Sequence, residues 1–583
     1  MASALRYPLP LQDALPGWRK RLIERLPLQA DSPESYRIHY YDSFDWRLFR
    51  SGTALKWEQR DGESRCYLYN LEGGAGAASL PLPEPPPGFA ADLPAGRLRQ
   101  RLSARLGVRA LLPLATLEVR SHCLRLKDPE GKTRLRLFLE QHRLRTPDNR
   151  ARLLSKQVRV VPLRGYEKDA AEIITLLEDE LGVQPEPQDL LLRALAALGK
   201  EPATSASKLD IPLEPELRAD AALRRVLLVL LATMERNEAG AIASLDTEFL
   251  HDFRVAVRRT RSALTQIKGV LPKTVLNRYK REFAWLGQIT TPSRDLDVYV
   301  LQFDDYKHSL PESARVDIEP LRNFLLRHQE IEHRTLARRL DSVRYRRLKQ
   351  NWRKFLTQPV SERSTLANAQ RPVVDVACER IWRVYRRAIK EGRAITQDSP
   401  AEALHELRKT CKKLRYLMEF FQSLFPDSEI KALIKVLKQL QDNLGDFQDY
   451  EVQVLTLRQF SQQMVKEDAA PAETLLAMGM LIEGLERRQH AARAEFAEHF
   501  AGFDQQDNLE RYRRLFHPPE PAAQIGRLAA VKLQQIDRHS AERRANQRRV
   551  GIDEHRFGPG HGDRSDGLHC RLDRPPQPAT GSQ

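Results

Sequence analysis

A chain of 583 residues exceeds what one ordinary hydrophobic core supports, so two or more domains are expected, each able to bury its own apolar face. The 95 Lys and Arg against 78 Asp and Glu leave a formal net charge of +17, a balance that favours a polyanionic partner such as nucleic acid, acidic lipid or polyphosphate. Cys66, Cys123, Cys378, Cys411 and Cys570 are odd in number and nowhere spaced C-x-x-C, which argues against a disulfide framework and a zinc site and sets a reducing cytoplasm as the expected location.

The start, "MASALRYPLPLQD", has no charged segment followed by an apolar one and is not read as a secretory signal. Strand-like material is expected only within 36–165. "TALKWEQR" at 53–60 alternates so that Lys56, Glu58 and Arg60 share a face, and "DGE" at 61–63 turns the chain into "SRCYLYNLE". "KDPEG" at 127–131 is a second turn, after which Lys132, Arg134 and Arg136 oppose Leu135, Leu137 and Leu139. The expectation is an antiparallel sheet with one charged face, interrupted by an irregular Gly/Ala/Pro-rich loop at 73–96.

Helical periodicity begins at "EKDAAEIITLLEDELG" from 167, and 199–216 reads as a polar linker. Residues 217–518 show almost no strand signal and are expected to form an all-α domain of about eight helices. Their longest apolar run, "VLLVLLA" at 226–232, is too short for a membrane span. Another short helix is expected after Pro518 and Pro519, and a mostly disordered basic tail within 519–583. The fold class is therefore multidomain α+β, with an antiparallel β domain over 1–198 preceding the helices.

The helical part contains a repeat. "LHDFRVAVRRTRSAL" at 250–264 returns as "LHELRKTCKKLRYLM" at 404–418, and the register holds without a gap from 250–298 to 404–452 through Pro272/Pro426 to Asp295/Asp449 and Asp297/Glu451. In each copy a histidine is followed by cations at i+3, i+7 and i+10: His251, Arg254, Arg258 and Arg261, then His405, Arg408, Lys412 and Arg415. On a helix these fall in a stripe roughly 80° wide and about 15 Å long. Phe253, Leu264 and Ile267, matched by Leu407, Met418 and Phe421, mark the apolar side.

Arginine forks grip phosphate oxygens bidentately, so a row of them suits a chain of phosphates. Ser399, Pro400 and Glu402 spell a capping box before the second copy, and Asp246 is the candidate cap of the first. The spaced acids Asp295/Asp297 and Asp449/Glu451 do not share a helix face, which makes them helix caps or partners for arginine rather than metal ligands.

The doubled "H-[DE]-x-R-x-x-x-[RK]-[RK]-x-R" pattern, with "SRDLDV" after the first copy and "LGDFQDYEV" after the second, resembles the CHAD domain, the conserved-histidine α-helical domain, over roughly 220–515. That resemblance implies two pseudo-repeated four-helix bundles and a basic site for inorganic polyphosphate. The matching residues are His251, Arg254, Arg258, Arg259 and Arg261, then His405, Arg408, Lys412, Lys413 and Arg415, with Lys409, Arg281 and Lys435 as additional candidates.

Residues 40–60 and 117–141 are similar to the CYTH family, the triphosphate tunnel fold. The metal-holding E-x-E-x-K strand of that family has no counterpart in "ALRYPLPLQD", and "QVRVVPLRG" at 157–165 lacks its later acids. The resemblance thus implies a degenerate, barrel-like domain without catalytic or metal site and without cofactor, in which Lys56, Arg60, Arg134 and Arg136 are left as candidate anion holders. The expected function is non-catalytic polyphosphate binding, with residence on cytoplasmic polyphosphate granules. Its rivals are a metal-dependent inorganic triphosphatase in the β domain, a nucleic-acid binder, and a scaffold that tethers proteins to granules.

Overall fold

The strands that precede residue 36 explain why the β region is larger than its alternation pattern. A computed structural model describes residues 5–72, 78–163, 165–185, 188–202 and 211–517. The expected tail and short helix beyond 518, Cys570, and part of the 199–216 linker lie outside the described residues.

In chain order the first region runs β1 (Leu5–Leu9), α1 (Leu15–Arg25), β2 (Leu28–Ala30), β3 (Glu34–Asp42), α2 (Arg47–Arg50), β4 (Thr53–Gln59), β5 (Arg65–Asn70), β6 (Ala78–Pro81), α3 (Arg97–Leu106), β7 (Leu112–Lys127), β8 (Thr133–Arg145), β9 (Ala151–Pro162), α4 (Glu167–Thr175) and α5 (Leu190–Ala197). The strands make one antiparallel sheet in the order β1-β9-β8-β7-β3-β4-β5-β6, with β2 added on β7. β1 carries Pro8 and pairs only with β9. Proline cannot donate to a ladder, so a single-sided edge strand is where it fits, and the same residue hides the strand from an alternation test.

The two faces of the sheet are covered differently. Leu135, Leu137 and Leu139 pack with Trp18 and Leu22 of α1, Ile173 of α4 and Leu177 in the turn of helix that follows it. On the other face, α5 sets Leu190, Leu191, Ala194 and Leu195 against Tyr36, Ile38, Tyr40, Leu117 and Val119. The register places Glu58 opposite Ile38 and Glu140 opposite Gln157, so this second face also carries the expected charges. Much of that face is buried: Glu58 is 8% exposed, Glu140 2% and His142 1%.

The helical region comprises α6 (Ala219–Ile242), α7 (Thr247–Gln266), α8 (Lys273–Ser309), α9 (Glu319–Leu340), α10 (Val343–Thr357), α11 (Val373–Arg393), α12 (Ala401–Phe420), α13 (Asp427–Lys466), α14 (Ala472–Phe503) and α15 (Gln506–Phe516). The offset that carries Thr247 to Ala401 also carries Ala219 to Val373, Gln266 to Phe420 and Lys273 to Asp427, so the duplication extends upstream to α6 and α11. There are ten helices here among the described residues instead of about eight, because the last arm of each repeat is broken. Asp341 and Ser342 separate α9 from α10, and Asp504 and Gln505 separate α14 from α15.

Two cores hold the repeats together. One gathers α6, α7, α11 and α12 with the first halves of α8 and α13. The other joins the distal halves of α8 and α13, through Tyr299, Phe303, Leu457 and Met464, to Leu321 and Phe324 of α9 and Met478 and Leu481 of α14. Phe253, Leu264 and Ile267 and their counterparts Leu407, Met418 and Phe421 are all buried, as the periodicity requires. Among the described residues no helix is long and apolar enough to cross a membrane.

Candidate polyanion-binding site

The start of each repeated helix is fixed by different chemistry. Asp246 caps α7, its Oδ1 accepting from the N–H groups of Glu248 (2.9 Å) and Phe249 (3.1 Å). The expected capping box on α12 does not form. Ser399 Oγ instead accepts from the Thr396 N–H (2.9 Å), Pro400 is the cap position without a side-chain bond, and Arg493 of α14 donates to the carbonyls of Gln397 (2.7 Å) and Ser399. A tertiary arginine thus fixes the residues just before α12, a contact no local motif reveals.

The two stripes meet. Arg258 and Lys412, equivalent positions of the repeats, are close enough for the guanidinium to act on the ammonium. Burial first, then the charges of Arg408 and Arg258, lowers Lys412 to about 8. The stripes are also tied by Glu419 of α12, which accepts from Arg259 Nη2 at 2.7 Å and lies 3.5 Å from Arg415 Nε. Among the described residues no carboxylate pairs with Arg258, Arg261, Lys412 or Lys413. Cations gathered with few counter-charges raise one another's energy, and an anion brought among them relieves that repulsion.

Within each stripe the residues have distinct roles. Arg254 turns into α8, donating to the Gly287 carbonyl (3.2 Å), Thr290 Oγ1 (2.8 Å) and Thr291 Oγ1 (3.0 Å). Burial pushes it down to about 10. Its counterpart Arg408 donates to Gln448 Oε1 (2.6 Å) and Asp449 Oδ1 (2.8 Å) of α13. Arg261 is exposed and lies over Gly287, where an added Cβ would come within 3.1 Å of its guanidinium. Lys409 pairs with Glu406 on its own helix at 2.8 Å.

His251 is half-buried, and burial followed by the charges of Arg294, Arg258, Arg109 and Arg254 lowers it to about 4. It is therefore a neutral imidazole near neutral pH, able to donate one hydrogen bond to an anion. His405 is likewise half-buried at the start of α12. Arg281 and Lys435 are exposed on α8 and α13, the helices that follow each stripe.

The spaced acids lie inside α8 and α13 and cap nothing. Asp449 pairs with Arg408, as expected of an arginine partner, whereas Asp297 is fully buried and accepts from His333 Nε2 (2.7 Å) and Gln329 Nε2 (2.8 Å) of α9. Sequence reasoning missed Arg294, which donates to the Thr247 carbonyl (3.1 Å) and bears on His251. Its place in "SRDLDV" was a usable signal. Glu419 and Gln448 carried none, since their roles come from packing across helices.

In the sheet, two of the four cations expected to hold an anion, Lys56 and Arg60, are already matched. Lys56 pairs with Glu58 at 2.6 Å, Arg60 with Glu58 (3.2 Å) and Glu34 (2.5 Å), and Arg159 with Glu140 at 2.6 Å. Arg134 lies near the Tyr166 ring, 5.8 Å from its centroid, and Arg136 is exposed. The family's divalent metal would need free carboxylates on this face. Glu58 and Glu140 are instead held low by the neighbouring cations against the opposing effect of burial, Glu140 at about 2. No cluster of three His, Cys, Asp or Glu side chains suited to a metal occurs among the described residues, so these donors do not fit the group.

The architecture defines a duplicated helical domain with a shared cationic cluster. Residues 225–458 match the family model of the CHAD domain. No curated protein matches the chain. Similar solved structures include the CHAD domain from the plant Ricinus communis, with 21% identity, a TM-score of 0.40, and coverage of 55% of this chain and 98% of that one. PptA from Streptomyces chartreusis shows 16% identity and a TM-score of 0.38 over 49% of this chain and 99% of its own. HpAC1 from Hippeastrum, described as a putative adenylyl cyclase with a dominant triphosphatase activity, shows 15% identity and a TM-score of 0.26 over 34% of this chain and 97% of its own.

Proposed function

We propose that this protein binds inorganic polyphosphate along the paired stripes of α7 and α12 and does not hydrolyse it. The observation that carries the reading is the approach of Arg258 to Lys412, equivalent residues of two repeats that lack carboxylate partners among the described residues; burial, then the charges of Arg408 and Arg258, hold Lys412 at about 8. A solvated helix face disperses its cations or pairs them. Here Arg258, Arg261, Lys412 and Lys413 have no carboxylate partner among the described residues, while Arg254, Arg259 and Arg408 are braced by neighbouring helices and Arg415 by Glu419 of its own helix, an arrangement suited to a linear polyanion.

The sheet contributes no reaction in this reading, because its buried carboxylates serve its own cations. Cytoplasmic residence on polyphosphate granules, with the protein as coat or tether, is the setting we propose for such binding. Titration of fluorescently labelled long-chain polyphosphate with the full chain tests it: the double variant Arg258→Glu/Lys412→Glu should lose binding at moderate salt. Binding as tight as that of the unaltered protein would refute the stripe as the site.

A further inference from the structure

The start of α7 is an unfavourable place for a polyanion on its own charges. Asp246, Glu248 and Asp252 cluster there, next to His251 and one turn before Arg254. The second repeat places Pro400, Glu402 and Glu406 at the equivalent positions, and Glu406 is neutralised on its own helix by Lys409 at 2.8 Å. The residue of α7 equivalent to Lys409 is Val255, so the first repeat has no such cation.

The missing charge comes from the sheet region. Arg109, in the turn between α3 and β7, is 2% exposed. Its Nη2 donates to Asp252 Oδ2 (2.7 Å) and its Nη1 to Asp246 Oδ1 (3.3 Å), while Nε lies 3.5 Å from Asp45 Oδ2. The Ala110 N–H adds a bond to Asp246 Oδ2 at 3.0 Å. Phe44 packs on Phe249 with ring centroids 4.7 Å apart, which fixes the same contact sterically.

We infer that Arg109 is a positioning residue of the polyanion site, supplied by the sheet region to cancel the Asp246 and Asp252 carboxylates that would otherwise repel phosphate at His251. The inference rests on the polyphosphate reading above. It gives the sheet region a role that requires no chemistry of its own: it provides for α7 the counter-charge that α12 carries within itself.

The test uses the full chain and labelled long-chain polyphosphate. Arg109→Met should bind roughly tenfold more weakly, an effect of the size expected when a buried carboxylate is left uncompensated near a charged ligand. Adding Val255→Lys, which copies the Glu406–Lys409 spacing at Asp252, should recover most of the loss without restoring the melting temperature. A role confined to folding would let binding recover only as far as the melting temperature does.

Should Arg109→Met not yield folded protein, Arg109→Lys, which keeps one charge but not the three-way fork, should show an intermediate loss with the same rescue. Unaltered binding in the folded Arg109 variant, or a loss that Val255→Lys does not mend, overturns the inference. No binding by the unaltered protein would instead refute the polyphosphate reading itself.

Discussion

Arg258 and Lys412 occupy the same position in the two repeats and face one another across the α7–α12 contact, with Lys412 lowered to about 8 by burial, Arg408 and Arg258. An anion between them stabilises the protonated ammonium, so the bound pKa lies above the free one. Polyphosphate binding should therefore take up protons from about pH 8 upward and weaken as pH rises through that range, with full affinity below it. Calorimetry in buffers of different ionisation enthalpy measures the uptake. Lys412→Arg, whose charge does not titrate there, should bind with a flatter pH profile.

Position within the cluster should matter more than charge alone. Arg281→Glu/Lys435→Glu changes the net charge by as much as Arg258→Glu/Lys412→Glu, yet its residues lie on α8 and α13 rather than on the stripe helices α7 and α12. The first pair should weaken binding only slightly and the second should abolish it, with a shallower dependence on salt for any residual binding. Equal losses would mean that the domain senses net charge only.

Glu140 and Arg159 form a buried pair in the sheet at 2.6 Å. Glu140→Gln should cost about 3–5 kcal/mol of stability by stranding the guanidinium. The carboxylate is lowered to about 2 in the folded chain, below its unfolded value. Its stabilisation is thus present above the ordinary carboxylate range and is lost as pH falls toward 2. Acid titration followed by circular dichroism should show the sheet of the Glu140→Gln variant losing less stability over that range than the unaltered sheet.

Gly240 of α6 lies so close to Phe249 that an added Cβ would sit 2.3 Å from the ring. Gly240→Ala must displace a buried aromatic that also packs on Phe44, and should destabilise the fold by about 1–3 kcal/mol. A melting temperature unchanged in Gly240→Ala would contradict the tight α6–α7 contact at Phe249.

The repeat was legible because its signal is carried by residues on one helix face in one register, from Leu250 to Val298 and from Leu404 to Val452. The broken arms were harder to read, since α9 and α10 share one amphipathic run and only the short Asp341–Ser342 break separates them. β1 escaped notice through Pro8, and α1 because Leu15, Trp18 and Leu22 bury only three side chains on an otherwise basic helix. The stripe residues could be named from spacing, but which of them stay unpaired depends on Glu419, Gln448 and Arg109, all brought in by tertiary packing. The charged sheet face was visible in Lys56, Glu58 and Arg60. That Glu58 matches Lys56 and Arg60 follows from side-chain pairing along β4, and that Glu140 matches Arg159 follows from the pairing of β8 with β9.

The most direct measurement is equilibrium binding of long-chain polyphosphate to the full chain across a salt series, with double-stranded DNA of matched total charge as competitor. The account predicts tight, salt-dependent binding that this DNA does not displace, because the cations are spaced along one narrow double stripe. Displacement by DNA at equal charge would contradict it and leave the stripes as general cationic surface.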